Sequence, residues 1–384
     1  MALRALARVN LAAIERNVIS LRARLVGDAE LCAVVKADAS GHGAVPVARA
    51  ALAGGATSLA VATVGEAAQL RAGGLTAPIL IMGAISAEEL PVALAARAEV
   101  VAWSERFIDR LAAGAAGGPS PVGVHVKLDS GMGRLGTRHP AEALAVAELV
   151  AAREPQLELV GAMTHFATAD GDQEFVAAQL AAFAPFADEL RRRSGRVRVH
   201  AANSAATVRT PASHFDMVRV GIALYGCDPM NEDPDNVGLE PALELSSYVA
   251  AVKRAEPGQS AGYGRRFVAE HASWIATLPI GYADGVRRGL TNNFEVLIGG
   301  RRYPLVGTVS MDNVTVDVGL ADPSAPEPAV RVGAPAILIG RSGAERQTVE
   351  EMANRLGTIN HEVLCGISAR VPREYHHDGG LAAG

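Results

Sequence analysis

The pattern of apolar positions divides the chain into two parts. Between about residue 30 and residue 221, eight short apolar runs alternate with stretches whose apolar residues recur at helical spacing. Most of the runs are continuous, which is typical of parallel strands covered on both faces. Eight strand–helix alternations in about 200 residues predict an α/β fold, a (β/α)8 TIM barrel. The runs are LCAVVK (31–36), SLAVA (58–62), PILIM (78–82), AEVVA (98–102), VGVHVKL (122–128), LVGAMTH (159–165), VRVHA (197–201) and DMVRVG (216–221).

An open doubly wound sheet is the alternative arrangement of such alternating elements. It usually needs fewer strands, and its first strand would be followed by a Gly-rich phosphate fingerprint. No G-x-G-x-x-G follows the first apolar run. The pattern therefore favours the barrel.

The second part of the chain begins after a polar, acidic segment with two prolines, residues 228–238, which we interpret as a linker. Short β-prone runs broken by Gly and Pro follow it, with one clear helix signal, TVEEMANRLG (348–357). This predicts a barrel domain over residues 1–235, of which the first ten or so could join the other domain. Residues 236–384 are predicted to form a mostly antiparallel β domain.

Composition narrows the function classes. The chain has 384 residues, 49% of them hydrophobic, and a net charge of −5, which argues against binding to nucleic acid or an anionic membrane. The three cysteines give neither a disulfide framework nor a metal-binding spacing. Since no apolar run reaches the ~18 residues of a spanning helix and no signal-peptide core is present, we expect a soluble cytoplasmic protein.

Polar side chains follow the ends of the predicted barrel strands, where barrel enzymes place their catalytic groups. Lys36 closes the first run and is open to two interpretations. It is either a surface lysine whose stem packs on apolar residues, or a desolvated amine with a lowered pKa that can form an imine with an aldehyde cofactor. The other members of this set are Lys127, Asp129, Arg134, His165, Asn203, Ser204 and Arg219.

Eight motifs, in order and at similar separations, resemble those of the alanine racemase family of fold-type III pyridoxal-phosphate enzymes. They cover almost the whole chain, including the β domain. The motifs are AVVKADASGHG, KLDSGMGRLG (127–136), THFATAD (164–170), HAANSAAT (200–207), RVGIALYG (219–226), GYGRRF (262–267), PIGYADG (279–285) and VGTVSMDN (306–313).

The resemblance implies catalytic roles for four residues. Lys36 would carry pyridoxal 5'-phosphate and serve one face of the substrate α-carbon, and Tyr263 of a partner subunit would serve the opposite face. His165 would hydrogen-bond to the tyrosine and to Arg219, which would face the pyridine nitrogen. Tyr263 as a packing aromatic and Arg219 as a salt-bridged barrel residue are the structural alternatives.

The resemblance also implies binding roles. Arg134 would contact the cofactor and the substrate carboxylate, and Lys127 matches a position that is carbamylated in many members, an unmodified lysine being the alternative. Met311 and Asp312 would contribute to the partner's substrate site, and Tyr282 matches a tyrosine on the path by which substrate enters. No role is assigned to His42, His125 or His200. The remaining cofactor contacts would be Asn203, Ser204, Gly221 and Ile222.

Two positions depart from the family pattern. Ser40 and His361 stand where the family usually has tyrosines that contact the phosphate. Serine is too short to reach as far, whereas histidine can donate a hydrogen bond and, when protonated, pair with the phosphate. We therefore expect weaker or more pH-dependent cofactor binding, which titration of the apoprotein at pH 6 and pH 8 would measure.

These features predict a homodimeric amino-acid racemase that interconverts L-alanine and D-alanine, a source of D-alanine for peptidoglycan precursors in a bacterium. A racemase or epimerase of another amino acid, such as serine or lysine, is a close alternative. A non-catalytic pyridoxal-phosphate binding or homeostasis protein is another, although such proteins normally lack the β domain and Tyr263. A decarboxylase of this fold type would ordinarily place an acidic residue, rather than Arg219, at the pyridine nitrogen.

Overall fold

The structure, a computed structural model, describes residues 4–381 except 196, 323, 325, 326 and 379. Residues 1–3 and 382–384, at the ends of the predicted domains, lie outside the described residues. The chain begins with strand β1 (Ala5–Asn10) and helix α1 (Leu11–Arg22). It divides into two compact units, one formed by residues 14–230 and the other by the N-terminal residues up to 13 together with residues 231 onward.

The first unit is a nearly closed barrel of eight parallel strands, which confirms the predicted fold class. Consecutive strands pair from the first to the seventh, and the eighth pairs with the first. The Asp216 N–H donates to Val199 O (3.0 Å) and the Arg219 N–H to Ala202 O (2.9 Å), which joins the last two strands. In chain order they are β2 (Glu30–Val34), β3 (Ser58–Val61), β4 (Ile79–Ile81), β5 (Glu99–Ala102), β6 (Val122–Lys127), β7 (Leu157–Met163), β8 (Arg198–His200) and β9 (Met217–Val220).

Helices connect these strands and cover them. In α4, for example, Thr63 and Glu66 form a capping box that satisfies the first free N–H groups. Inside the barrel an apolar cluster fills the space between strands, with Leu80, Val101 and Met163 among its members. The helices after α1 are α2 (Lys36–Gly41), α3 (Ala44–Ala53), α4 (Val64–Ala72), α5 (Leu90–Ala95), α6 (Glu105–Ala115), α7 (Pro140–Ala151), α8 (Gln173–Arg193) and α9 (Ser204–Arg209).

The second unit is built on an 11-stranded sheet that includes β1, together with a separate β12–β13 pair. Among the strands that the structure describes, all pairs in this unit are antiparallel except the pairing of β1 with β20 (Arg373–His377). The strands are β10 (Leu243–Tyr248), β11 (Ala251–Ala255), β12 (Ser260–Ala261), β13 (Phe267–Val268), β14 (Ser273–Leu278), β15 (Glu295–Ile298), β16 (Arg301–Val306), β17 (Val314–Leu320), β18 (Pro335–Ser342), β19 (Glu345–Gln347), β20 (Arg373–His377) and β21 (Gly380–Leu381).

Among its described residues, the second unit also contains two α-helices, α10 (Val349–Leu356) and α11 (Asn360–Cys365). The expected helix at 348–357 is α10, in which the Thr348 hydroxyl accepts from the Glu351 N–H and Gly357 ends the helix with a φ of 67°. Helix α11 could not be predicted, because six residues are too few to show a helical period. Among the described residues, no helix combines the length and apolarity needed to cross a membrane.

Candidate active site

Arg219 is buried in β9. It lies among the polar residues at the strand ends that the sequence predicts to share one site. Its Nη2 donates to Thr164 O (2.9 Å), Ala201 O (3.1 Å) and His165 Nδ1 (3.1 Å). Its Nη1 donates to His200 Nδ1 (2.8 Å). The buried Nε has no hydrogen-bond partner among the residues that the structure describes. Burial lowers the pKa of Arg219 to about 10, so the side chain stays cationic at neutral pH.

The contact with Arg219 fixes the tautomer of His165. A guanidinium only donates, so His165 Nδ1 must accept and the neutral ring carries its proton on Nε2. Burial, followed by the charges of Arg219 and Lys127, holds the pKa of His165 well below its usual value. At neutral pH His165 is therefore a neutral hydrogen-bond donor at Nε2.

Lys36 begins a turn whose backbone has the left-handed conformation. Strand β2 ends at Val34, so the expectation that Lys36 closes the strand was wrong by two residues. The four residues after Lys36, from Ala37 to Ser40, have φ values of 51–53°, a left-handed conformation. This conformation costs a non-glycine residue about 1–2 kcal/mol, and strain of this kind concentrates at functional sites.

Side chains from within and outside the turn stabilise it. Glu66 Oε1 accepts from the Ala37 N–H (2.6 Å), and Asp38 Oδ1 accepts from the Ala44 N–H (2.7 Å). The ring of His42 stacks on Tyr225 with 4.5 Å between centroids. These contacts hold Lys36, which is exposed, and Ser40, which is half-buried, in a defined place at the strand end.

A small cluster of donors follows β8 and β9. The Ser204 hydroxyl accepts from the N–H groups of Gly221 (2.9 Å) and Ala223 (3.4 Å). Asn203 caps α9 by accepting from the Ala206 N–H, and Ile222 begins a short 3-10 turn. A hydroxyl next to backbone N–H groups is suited to an anion such as phosphate.

Lys127 is buried at the end of β6. Burial, followed by the neighbouring charges of Arg219 and Arg134, lowers its pKa to about 8. Arg134 is exposed on the loop after the strand, which Asp129 orders by accepting from the N–H groups of Gly131 (3.1 Å) and Gly133 (3.0 Å). Lys127 is therefore partly uncharged near neutral pH, unlike a surface lysine.

The second unit carries the other predicted residues on adjoining turns. The Thr308 hydroxyl donates to Tyr263 O (2.6 Å), and the Tyr282 N–H donates to Ser310 O (3.0 Å). The Ala283 N–H donates to Met311 O (3.0 Å). Tyr263, Tyr282 and Met311 are 74%, 41% and 51% exposed, Asp312 is half-buried, and His361 is exposed on α11.

An ion-pair network positions Asp312 on this surface. Arg370 Nη2 donates to Asp312 Oδ1 (2.7 Å), and Arg370 Nε lies 3.5 Å from Asp284 Oδ1. Asp284 is fully buried and accepts from Arg4 and from the Gly281 N–H (2.9 Å). Asp312 thus has a charged neighbour that restricts its position.

Comparison with known proteins assigns both the barrel unit and the sheet unit to one family. The alanine racemase N-terminal domain matches residues 9–229, and the alanine racemase C-terminal domain matches residues 242–375. The chain belongs to the alanine racemase family. The alanine racemase of Geobacillus kaustophilus is 41% identical over 95% of this chain and 92% of its own length. That of Frankia casuarinae is 39% identical over 97% of this chain and 96% of its own.

Solved structures of the alanine racemase family share the fold. The alanine racemase from Bacillus anthracis with bound L-Ala-P has a TM-score of 0.90 and 38% identity, covering 100% of this chain and 97% of that one. The enzyme from D-cycloserine-producing Streptomyces lavendulae has a TM-score of 0.91 and 35% identity, covering 99% and 98%. The predicted family and enzyme class are confirmed: the protein is an isomerase of the racemase type.

Several residues of this alanine racemase family member were not picked out by their sequence pattern. His200 contacts Arg219, Glu66 holds the turn after Lys36, and Arg370 holds Asp312. His200 lies one residue before the end of a predicted strand, and Glu66 has the signature of an ordinary capping box, so both suggest structural roles. Arg370 follows no strand end, and only the folded sheet brings it to Asp312.

Replacing Arg370 by glutamine should raise KM for the amino acid by about three- to fivefold, because Asp312 loses the cation that restricts it. The change in the free energy of unfolding should stay below about 1 kcal/mol, as for other exposed ion pairs. Steady-state kinetics in both directions, with Arg341→Gln as the control for an exposed β-domain arginine, would measure it. An unchanged KM would show that Asp312 needs no such support.

The pKa of Lys127 predicts a pH dependence of stability. Above pH 8 the folded protein has lost this proton while the unfolded chain, with an ordinary lysine pKa of 10.5, still binds it. The free energy of unfolding should therefore rise with pH between about 8 and 10 by about 1 kcal/mol per pH unit. Below pH 8 the folded and unfolded states both bind this proton, so Lys127 does not make the free energy of unfolding depend on pH there.

Urea unfolding of wild type and Lys127→Met from pH 7 to pH 9.5, in buffer free of CO2, would isolate this contribution. Burial raises the pKa of Cys32 to about 11, which makes stability fall with pH above 9, but that effect is common to both proteins and cancels in the difference. Lys253→Met is the control for an exposed lysine. Parallel curves for wild type and Lys127→Met would refute the lowered pKa.

Proposed function

We propose that the protein interconverts L-alanine and D-alanine with pyridoxal 5'-phosphate, using Lys36 and Tyr263 as the two proton-transfer groups. The observation that carries the proposal is the unpaired, buried Nε of Arg219. A buried donor without a partner is costly, and a ring nitrogen that accepts a hydrogen bond would satisfy it. Its neighbours are the residues that this chemistry requires.

The residues present fit the cofactor. Lys36 offers an amine two residues after the end of β2, and Ser204, Gly221 and Ile222 offer a hydroxyl and N–H groups to a phosphate, with Asn203 beside them. When bound, pyridoxal phosphate supplies an electron-withdrawing ring that makes the α-proton of an amino acid acidic. Ser40 and His361 replace two tyrosines of the family, so we propose that phosphate binding depends more on these N–H groups.

Arg219 determines how strongly that ring can withdraw electrons. It donates a hydrogen bond and keeps its proton, so it leaves the ring nitrogen unprotonated. With the cofactor bound, this contact of Arg219 would favour return of a proton to the α-carbon over transamination.

Two proton-transfer groups on opposite faces are what racemisation needs, because a proton leaves one face of the α-carbon and another arrives at the other. Lys36 serves one face. Tyr263 of a partner subunit serves the other, which explains why a tyrosine in a sheet domain is 74% exposed. His165, with its proton on Nε2, would donate to the phenol oxygen of Tyr263 and so orient that hydroxyl for proton transfer.

The same partner surface would complete the substrate site. Met311, Asp312 and Tyr282 lie on turns next to Tyr263 within one unit, and we propose that they face the barrel of the second subunit in a homodimer. Arg134 binds the substrate carboxylate. An exposed set of aromatic and apolar side chains on adjoining turns supports a surface that is covered in the assembled protein.

Lys127 supports Arg134 after modification by CO2. Its uncharged amine attacks CO2, forms an N–C bond and releases one proton. The product is a negatively charged carbamate in place of a positively charged ammonium group. It lies next to the guanidinium groups of Arg134 and Arg219, which it can orient by charge-assisted hydrogen bonds. A pKa of about 8 supplies the uncharged amine near neutral pH.

A chiral assay of product from L-alanine, L-serine and L-lysine, with and without added cofactor, tests the proposal. We expect D-alanine to form fastest and only with cofactor. Faster turnover of serine or lysine would assign another racemase, and cofactor binding without any D-amino acid would assign a binding protein. The reaction would take place in the cytoplasm, where D-alanine enters the synthesis of peptidoglycan precursors.

A further inference from the structure

A buried row of hydrogen-bonded side chains leads from Arg219 through the inside of the barrel to Glu99. Arg219 Nη1 lies 2.8 Å from His200 Nδ1, and His200 Nε2 lies 2.8 Å from His125 Nδ1. His125 Nε2 lies 2.8 Å from Glu99 Oε2. The two histidines are fully buried, and Glu99 is the first residue of β5. The row thus connects Arg219 to the N-terminal end of the barrel strands, where Glu99 lies.

The two ends of the row determine which way every hydrogen bond points. Arg219 only donates, so His200 Nδ1 accepts and the ring carries its proton on Nε2. His200 Nε2 then donates to His125 Nδ1, which leaves the His125 proton on Nε2, facing Glu99. A carboxylate only accepts, so this last contact is satisfied as well. A second proton on either ring would place two donors against each other.

The barrel backbone makes room for this row. A Cβ on Gly161 would lie 1.9 Å from His125 Nδ1, so no other residue fits opposite that ring. A Cβ on Gly123 would lie 3.0 Å from the Glu99 side chain. The pairing of β6 with β7 also shifts register between Val124 and His125. Two glycines and a register shift at one place indicate that the strand backbone is shaped to accommodate this row of side chains.

The charges along the row agree with neutral rings. Burial lowers the pKa of His125, which Glu99 only partly offsets, and burial with the charge of Arg219 holds the pKa of His200 well below its usual value. At the far end Arg198 Nη2 donates to both oxygens of Glu99 (2.7 and 2.8 Å). Although burial opposes it, His125 and Arg198 lower the pKa of Glu99 and keep it ionised.

We infer that Glu99 is a positioning residue for Arg219, acting through His125 and His200. Its carboxylate is the terminal acceptor that holds both rings in one tautomer and so fixes the guanidinium, whose Nε would meet the cofactor ring. This inference deepens the proposed function and rests on it for the meeting of Arg219 with the cofactor. The hydrogen-bond direction itself holds without any cofactor.

The first test measures the ring nitrogens directly. Protein labelled with 15N only in histidine, without cofactor, is examined by NMR from pH 6 to pH 9, and the two residues are assigned with His125→Gln and His200→Gln. We expect both rings to be neutral, with the proton on Nε2, over the whole range. A proton on Nδ1, or titration of either ring within it, would overturn the inference.

The second test removes the terminal acceptor. Glu99→Gln keeps the shape but can present an N–H group to His125 or Arg198, so we expect mixed His125 and His200 tautomers and kcat lowered about tenfold. KM should change less than twofold, since no substrate contact is lost. Glu99→Asp, which keeps the carboxylate, should retain the tautomers and recover most of kcat.

Glu158→Gln is the matched control, because Glu158 is an exposed glutamate in β7 that lines the same surface cavity as Glu99. It should change neither tautomers nor kcat. Equal tautomers and kcat in Glu99→Gln and wild type would contradict the positioning role. Absence of racemisation in wild type, with the tautomers as expected, would refute the proposed function and leave the hydrogen-bond row standing.

Discussion

Replacing Lys36 by alanine is expected to abolish racemisation, with kcat reduced about a thousandfold or more in both directions. In the proposed function the amine at this position would both bind the cofactor and serve one face of the α-carbon, so no other group in the site would take over. Chiral chromatography of product from each enantiomer would measure the loss. The turn held by Glu66 and Asp38 is expected to keep its conformation, because their contacts go to backbone atoms.

The chain offers a clear control for this prediction, since it contains only three lysines, Lys36, Lys127 and Lys253. Borohydride treatment of the loaded protein should attach the cofactor irreversibly to the peptide that contains Lys36. Lys253→Ala, at an exposed position of β11, should behave as wild type. Label on either of the other two lysine peptides would show that the site has been misassigned.

Tyr263→Phe should give the second-largest effect and, unlike the lysine variant, an asymmetric one. In the proposed function, loss of the phenol would remove proton transfer on one face while Lys36 would still serve the other. Racemisation should fall by about a hundredfold or more, and solvent deuterium should enter one enantiomer much faster than the other. Mass spectrometry of both recovered enantiomers would measure this, with Tyr303→Phe in β16 as the control.

Mixing the two inactive variants tests whether the sites are shared between subunits. A heterodimer of Lys36→Ala and Tyr263→Phe would have one site with both changes and one with neither. Random exchange of subunits should therefore restore roughly a quarter of wild-type activity. No recovery, although mass spectrometry shows that mixed dimers form, would place both groups in the same chain.

The barrel could be predicted because its strands are covered on both faces and therefore appear as continuous apolar runs. Observed strands such as β3 (Ser58–Val61) and β9 (Met217–Val220) lie within one residue of the predicted runs at each end. The left-handed turn after Lys36 could not be predicted. Its residues are alanine, aspartate and serine, and the backbone conformation depends on contacts such as that from Glu66, distant in sequence.

For the site, the sequence could indicate which strand ends carry chemistry but not which buried polar residues serve them. Lys127 ends a strand, His165 follows one and Arg219 lies within one, and the fold brings Arg219 close enough to lower the pKa of the other two. His125 and His200 have the same strand-end or mid-strand pattern as ordinary buried histidines. Their connection to Glu99 depends on the absence of a side chain at Gly161, a three-dimensional requirement that no local pattern contains.

Gly281 joins the turn that bears Tyr282 to the turn that bears Met311. A Cβ at this position would lie 2.4 Å from the carbonyl oxygens of Ser310 and Met311, so the two backbones touch without any intervening side chain. Chimeras that exchange one of these turns with a relative should therefore exchange the other as well. Substitutions on this surface therefore have to be designed for both turns together.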